Sequence, residues 1–167
     1  ACLFILPFLL TVFVRSVLVG WLIGYNTEGM DNMFHRLPPL HIACTRGNVD
    51  MVRALLDRQL VDPNEKDAEG CTALYHAASL GVADVVEVLL SRGASVNEGC
   101  SKRTPLHCAV GWGHTKCVEL LLRHGADRSI ADSDQRTPLQ LLRDMPVKRG
   151  HVEEMEALLT NDNLSAR

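Results

Sequence analysis

The chain of 167 residues is poor in aromatic residues, at 5%, and its formal net charge is only −3. Without a strong basic surplus it lacks the electrostatic basis of non-specific nucleic-acid binding, which rests on many Lys and Arg contacts to phosphates. It also lacks a glycine-rich phosphate loop, a G-x-S-x-G nucleophile elbow and an H-E-x-x-H zinc helix. We therefore expect no catalytic residues, no enzyme activity, no cofactor and no nucleic-acid partner.

The cysteines form no C-x-x-C pair, and none has a histidine at zinc-finger spacing. One interpretation is a metal site among residues that are close in sequence, namely Cys100, His107, Cys108 and Cys117. We favour reduced thiols and no metal, with three cysteines filling small core positions on helices: Cys44, Cys108 and Cys117. Reduced thiols fit a cytosolic protein.

The first 24 residues are almost entirely apolar, and their length suits a membrane span. Fifteen Leu, Ile, Val and Phe residues between Leu3 and Ile23 favour insertion by about 4.5 to 9 kcal/mol, against about 2.5 to 3.5 kcal/mol for the central Arg15. We expect a membrane anchor in residues 2–24. A cleaved signal, a cap on the following domain and an artefact of the gene model are the alternatives. The start at Ala1 indicates a processed or incomplete chain.

A four-residue motif recurs along the rest of the chain at steps of 34, 32 and 33 residues. The copies are Pro38-Pro39-Leu40-His41, Thr72-Ala73-Leu74-Tyr75, Thr104-Pro105-Leu106-His107 and Thr137-Pro138-Leu139-Gln140. Each of the first three is followed at a fixed distance by a glycine turn and then by a second stretch with helical spacing of apolar residues. A unit of this length cannot bury its apolar face alone, so it must stack on its neighbours.

Each letter of the motif has a physical role at the start of a short helix. Threonine can accept a hydrogen bond from a backbone N–H as N-cap, and proline at the next position has a suitable φ and needs no donor. Leu106 and Ala109 then face inward on a helix too short to be stable alone. The second helix ends at a glycine, Gly93 or Gly125, for which we expect the left-handed conformation.

The period and the T-P-L-H letters resemble the ankyrin repeat over residues 38–160, about three quarters of the chain. The resemblance implies an all-α solenoid of paired antiparallel helices with β-hairpin finger loops, here preceded by a hydrophobic N-terminal helix. It also implies that His41 and His107 are structural, each bonded to the backbone of the next repeat and to the Thr hydroxyl. The predicted organisation is a hydrophobic segment 1–24, a linker 25–37, repeats 38–71, 72–103 and 104–136, a degenerate fourth repeat or C-terminal cap 137–160, and a tail 161–167.

The chain departs from the pattern in ways that predict local changes. The first repeat lacks the glycine after its second helix and has one extra residue, so we expect Pro63 to reshape its finger. The second finger is one residue short. The fourth repeat carries an insertion, 145–149, and an acidic last helix that suits a solvated cap.

The resemblance implies partner binding on the concave side, through finger tips and the exposed faces of the first helices. The residues that we predict to contact a partner are Arg46, Glu69, Leu80, Lys102, Arg103, Trp112, Arg136 and Arg143. Trp112 is the leading candidate because Trp and Arg dominate interface hot spots. Packing of Trp112 on the next repeat is the alternative. The basic excess of this set favours an acidic or phosphorylated partner segment, against the alternative of a solvated charge mixture.

Asn97 lies in a finger sequence similar to that in which some ankyrin-repeat proteins are hydroxylated on Asn, so its hydroxylation is one hypothesis. As a whole, the sequence predicts a monomeric adaptor or scaffold with cytoplasmic repeats, tethered to a membrane by residues 2–24. The alternative location of the repeats is the nucleus. The alternatives are a soluble inhibitor, a ubiquitin-ligase substrate receptor, and a regulatory ankyrin fragment of a larger channel or enzyme. The partner's identity stays open because fold alone does not give it.

Overall fold

The computed structural model describes residues 37–144 and 149–161. Within these ranges the chain forms α-helices joined by short turns and longer loops. The helices are α1 (Pro39–Thr45), α2 (Val49–Asp57), α3 (Ala73–Leu80), α4 (Ala83–Ser91), α5 (Pro105–Gly111), α6 (Thr115–Arg123), α7 (Pro138–Asp144) and α8 (Arg149–Thr160).

Consecutive helices pack in pairs, and the pairs stack side by side. The first helices of the pairs (α1, α3, α5 and α7) contact one another in one layer, and the second helices (α2, α4, α6 and α8) form the other layer. The all-α solenoid that the resemblance implies is therefore confirmed for the described residues. The fingers between pairs contain no strand there; two of them are closed by single antiparallel bridges, Lys66 with Thr72 and Cys100 with Arg103.

The helix starts follow the capping chemistry of the sequence. The side chains of Thr72 and Thr104 accept hydrogen bonds from the backbone N–H of Tyr75 and His107. The expected glycine stops are left-handed, with φ +84° at Gly93. In the first repeat, which lacks this glycine, Gln59 takes the left-handed conformation with φ +51°. A non-glycine residue there costs roughly 1 kcal/mol or more, so the first repeat has the less favourable helix stop.

The core lies between the two helix layers and repeats with the sequence. Leu40, Leu74 and Leu106 occupy the same register on three neighbouring first helices, and all are fully buried. The second helices contribute an equivalent row: Leu55, Leu89 and Leu121. Each buried leucine contributes roughly 1.5 to 3 kcal/mol. Because every row runs through several repeats, each repeat is stabilised by its neighbours rather than by a core of its own.

The predicted anchor 1–24 and the predicted tail from residue 162 onward lie outside the described residues. The hydrophobic N-terminal helix therefore stays a prediction. Across the ranges that are described, none of the helices combines the length and apolar character that crossing a bilayer requires.

The cysteine prediction is right for three residues and wrong for two. Cys44, Cys108 and Cys117 are buried free thiols, as expected. Cys71 and Cys100, however, are joined by a disulfide bond. Cys100 lies in the second finger, with its Cα 4.3 Å from that of Cys71.

Candidate protein-interaction surface

Three exposed side chains form a row at the ends of the first helices. Arg46, Leu80 and Trp112 each stand immediately before the glycine of a helix turn, in the same register of successive repeats. We call these three residues the turn row. Because α1, α3 and α5 are packed neighbours and packed helices lie 8–10 Å apart, the row spans roughly 20 Å.

Two members of the turn row are large apolar side chains that are exposed to solvent instead of packed in the core. Trp112 is 70% exposed and Leu80 is 51% exposed. The structure thus excludes the alternative in which Trp112 packs within the scaffold. An exposed tryptophan beside an exposed leucine offers a hot-spot anchor with an apolar neighbour.

The finger residues lie at the other end of the first helices. Glu69 and Lys102 are exposed at finger positions, and Lys102 has a left-handed backbone with φ +67°. The eight residues of α3 separate the two ends, a length of about 12 Å. A partner segment that touches both a finger and the turn row must therefore follow the length of a first helix.

Most of the predicted basic residues are neutralised within the chain. The Arg143 guanidinium is 2.6 Å from the Glu156 carboxylate on α8. Arg103 and Arg136 both approach Oδ2 of Asp132, at 3.6 and 3.4 Å. In the described part of the chain Arg46 and Lys102 have no such ion pair, so the basic excess available to a partner is smaller than the sequence indicates.

Asp132 at the base of the third finger is the residue that sequence reasoning missed. It is buried, and its Oδ1 accepts hydrogen bonds from the backbone N–H of Asp134 and Arg136. Burial by itself raises the pKa of Asp132, but these N–H donors and the Arg136 guanidinium outweigh it and lower the pKa overall. The signal in the sequence is an aspartate five residues before the repeat's threonine, which recurs at Asp67.

The two motif histidines are bonded to the backbone of the finger that leads into the next repeat. His107 lies 2.8 Å from the Thr104 hydroxyl through Nδ1 and 3.1 Å from the Arg136 carbonyl through Nε2. His41 makes only the second of these contacts, with Nε2 3.0 Å from the Cys71 carbonyl. Burial lowers the pKa of both rings, so both are neutral at pH 7.

Asn97 is exposed, and its amide oxygen accepts a hydrogen bond from the backbone N–H of Asp127 in the next repeat at 2.9 Å. Asn64 does the same for Ser95 one repeat earlier, at 2.7 Å. These bonds tie successive fingers together, which gives Asn97 a structural role that sequence analysis missed. Its hydroxylation stays a prediction.

Comparison with known proteins agrees with this architecture. A family model described as ankyrin repeats in three copies matches residues 12–100, and a single ankyrin-repeat model matches residues 101–133. The chain is 43% identical over 110 residues to "Ankyrin repeat and SOCS box protein 11" of Danio rerio, covering 66% of this chain and 37% of that protein. It is 42% identical over 102 residues to "Transient receptor potential channel pyrexia" of Drosophila melanogaster, covering 60% and 11% respectively. It is 34% identical over 140 residues to human "Transient receptor potential cation channel subfamily A member 1", covering 77% and 12%. The chain therefore spans little more than a third of the first of these relatives, and about a tenth of the two channels.

Proposed function

The chain belongs to the ankyrin-repeat family, whose repeats are protein-interaction modules, and we propose that it acts as a non-catalytic adaptor or scaffold whose partner docks on the turn row. The observation that carries the proposal is the exposed pair Leu80 and Trp112, in matching positions on two packed helices. Their helices are held by the two-layer core, so a partner would meet a preorganised surface, which lowers the ordering cost of association.

The charge pattern supports a partner segment with an apolar anchor and few acidic groups. Three of the predicted basic residues, Arg103, Arg136 and Arg143, are paired with carboxylates of the chain itself. Arg46 at one end of the turn row and Lys102 on a finger remain for acidic groups of the partner. Apolar burial at Trp112 would supply most of the affinity, and the two cations would set orientation and association rate.

Proximity labelling and pull-down from cells, comparing wild type with Trp112→Ala and Leu80→Ala, test the proposal. Loss of a hot-spot tryptophan costs about 2 kcal/mol or more, which is roughly a thirtyfold loss of affinity. We expect the main partners of the wild type to be lost with Trp112→Ala and reduced with Leu80→Ala. Neither change should alter thermal stability by more than about 0.5 kcal/mol, because both side chains are exposed.

Lys116→Ala is the matched control, since Lys116 is exposed on the second helix of the same repeat as Trp112. It should retain all partners. If Trp112→Ala and Lys116→Ala capture the same partners in the same amounts, the turn row is not the docking surface.

A second candidate function is that of a regulatory or receptor portion of a longer protein. The low coverage of the relatives favours it, because the matched relatives include a SOCS-box protein and two channels of which this chain covers only a part. A substrate receptor of a ubiquitin ligase and the ankyrin region of a larger channel or enzyme are its specific forms. A soluble regulatory inhibitor is a separate alternative. Full-length transcript mapping distinguishes a stand-alone adaptor from a portion of a longer protein. An open reading frame that continues into channel or enzyme sequence would refute the stand-alone adaptor.

We further propose that residues 2–24 tether the repeats to the cytoplasmic side of a membrane and that the repeats are monomeric. The apolar composition of the segment supports the tether. Alkaline carbonate extraction tests it, and release into the soluble fraction would refute it. Alkylation of thiols at lysis tests the compartment: a Cys71–Cys100 bridge already present in the protein from living cells would argue against the cytoplasm.

A further inference from the structure

A histidine, an aspartate and a second histidine converge where the first repeat meets the second. His41 lies on α1, Asp67 at the base of the first finger and His76 on α3. Each offers one ligand atom, a ring nitrogen or a carboxylate oxygen, and these atoms all lie within 4.8 Å of one another. Nε2 of His76 is 2.8 Å from Oδ2 of Asp67. We call these three residues the His–Asp–His cluster.

The charge of Asp67 is left without the cations that its counterpart has. Asp132 occupies the same position in the third finger, where guanidinium groups of Arg103 and Arg136 approach it. In the first finger, the place of Arg136 is taken by Cys71, which brings no charge. Among the described residues, Asp67 has no Lys or Arg ion pair, although the Asp67 side chain is only 2% exposed. Burying a carboxylate is costly unless it is paired. Oδ1 of Asp67 accepts from the backbone N–H groups of Glu69 and Cys71, and the side chain bonded to Oδ2 is the His76 imidazole.

His41 differs from the equivalent histidine in the same way. Its Nε2 donates to the Cys71 carbonyl, because a carbonyl can only accept, and its Nδ1 is therefore a lone-pair acceptor. That Nδ1 is buried and has no hydrogen-bond partner in the described part of the chain. In His107 the Thr104 hydroxyl serves this atom, but the first repeat has Pro38 in place of the threonine. His41 thus keeps a coordinating capacity that His107 has used.

We propose that the His–Asp–His cluster binds a divalent cation of the zinc type, with a water molecule as the fourth ligand. Two imidazoles and one carboxylate, completed by water, form a common three-ligand zinc set. Ligands of a tetrahedral Zn²⁺ lie about 3.4 Å apart, given bond lengths of about 2.1 Å. The His76 and Asp67 atoms are already within that separation, and His41 requires a contraction of roughly 1.4 Å at most.

The proposed site is accessible to a cation from solvent, and a bound cation would link two repeats. His76 is 23% exposed at its side chain, so the site opens to solvent on one side. The bound ion would join α1, the first finger and α3 across the boundary between two repeats. Repeats in a solenoid are stabilised through their interfaces, so occupancy would stabilise the amino-terminal end of the described array.

Isothermal titration calorimetry of the 167-residue chain with ZnCl₂ is the first test. We expect one site that is weakened at least about tenfold by Asp67→Asn and by His76→Gln, as for loss of groups that hold a metal. His124→Gln is the matched control. His124 is exposed at the end of α6, and no residue of the His–Asp–His cluster lies on that helix. MgCl₂ and CaCl₂ should give no binding at this site, since imidazole ligands suit zinc and these ions prefer oxygen.

Co²⁺ absorption and thermal melting make the test independent of any one variant. Bound Co²⁺ should show visible bands of a tetrahedral nitrogen and oxygen site without a near-ultraviolet thiolate band, and Zn²⁺ should raise the melting temperature of wild type but not of His76→Gln. The proposal is overturned if Zn²⁺ fails to bind wild type, if His76→Gln and Asp67→Asn bind it as tightly as wild type, or if a thiolate band shows that cysteines hold the metal.

Discussion

Thr104→Ala should lower the free energy of unfolding by more than the removal of an ordinary helix N-cap does. Thr104 is buried, and its hydroxyl serves two groups at once. It accepts from the backbone N–H of His107 at 3.4 Å and lies 2.8 Å from Nδ1 of the same residue. Because Nε2 of His107 donates to the Arg136 carbonyl, Nδ1 accepts, and the threonine hydroxyl is its donor.

The magnitude follows from these two bonds. Loss of an N-cap costs about 1 kcal/mol, and loss of a buried hydroxyl donor costs about 1 to 1.5 kcal/mol more. The Thr104 backbone N–H, 3.3 Å from Nδ1, still partly satisfies the ring. We therefore expect Thr104→Ala to lower the free energy of unfolding by about 2 to 2.5 kcal/mol, measured by urea denaturation followed by circular dichroism.

Two further variants separate the contribution of the helix cap from that of the hydrogen bond to His107. Thr137 caps α7 by accepting from the Gln140 N–H at 3.3 Å, and a glutamine stands here in place of the buried histidine of the third repeat, so Thr137→Ala should cost only about 1 kcal/mol. Thr104→Ser keeps the hydroxyl and should cost less than about 1 kcal/mol, for one lost methyl. If Thr104→Ala and Thr137→Ala prove equally destabilising, the bond between the threonine hydroxyl and His107 contributes nothing and the reasoning fails.

Three other predictions concern the disulfide bond, a buried carboxylate and the helix turns. The disulfide closes a segment with a sequence separation of 29, so Cys100→Ser should lower unfolding stability by about 3 to 4 kcal/mol in oxidising urea titrations and change nothing once reductant is present. Because the pKa of Asp132 is lowered in the fold, its contribution is present above the unfolded pKa of about 3.9 and is lost as pH falls through the folded value; melting curves of Asp132→Asn should lack this part of the acid dependence. Gly81 and Gly113 both have positive φ, but only at Gly81 would a Cβ meet a side chain, 2.5 Å from Nδ1 of His114; Gly81→Ala should therefore lower the melting temperature more than Gly113→Ala, and equal losses would contradict that contact.

The helices and their layers could be predicted because they depend on short-range chemistry. Thr72 and Thr104 cap the helices that follow them, and Leu74 and Leu106 are buried two residues later in each case. These effects act within one repeat, and the period then carries them along the chain. A reader of the sequence can place them without knowing how the repeats are stacked.

The charges of the surface could not be predicted in the same way, because pairing depends on how separate helices and neighbouring repeats pack against one another. Arg103 belongs to the second finger, yet its nearest carboxylate, Asp132, lies in the third. Arg143 is paired with Glu156 on the next helix. The bond between Cys71 and Cys100 likewise joins neighbouring fingers. Exposure of Trp112 could be proposed but not decided, since a tryptophan before a turn suits either a core or a surface.

His41 and His107 show how substitutions elsewhere give one motif letter two environments. Both rings are buried, both are neutral, and both donate to a carbonyl of the next finger. The difference lies three residues upstream, where Pro38 replaces a threonine, and one repeat downstream, where Cys71 replaces an arginine beside the finger aspartate. The first change leaves a ring nitrogen unpaired, and the second leaves a buried carboxylate without a guanidinium. The unpaired ring nitrogen of His41 and the buried carboxylate of Asp67 belong to one cluster. A single bound cation there would coordinate both groups.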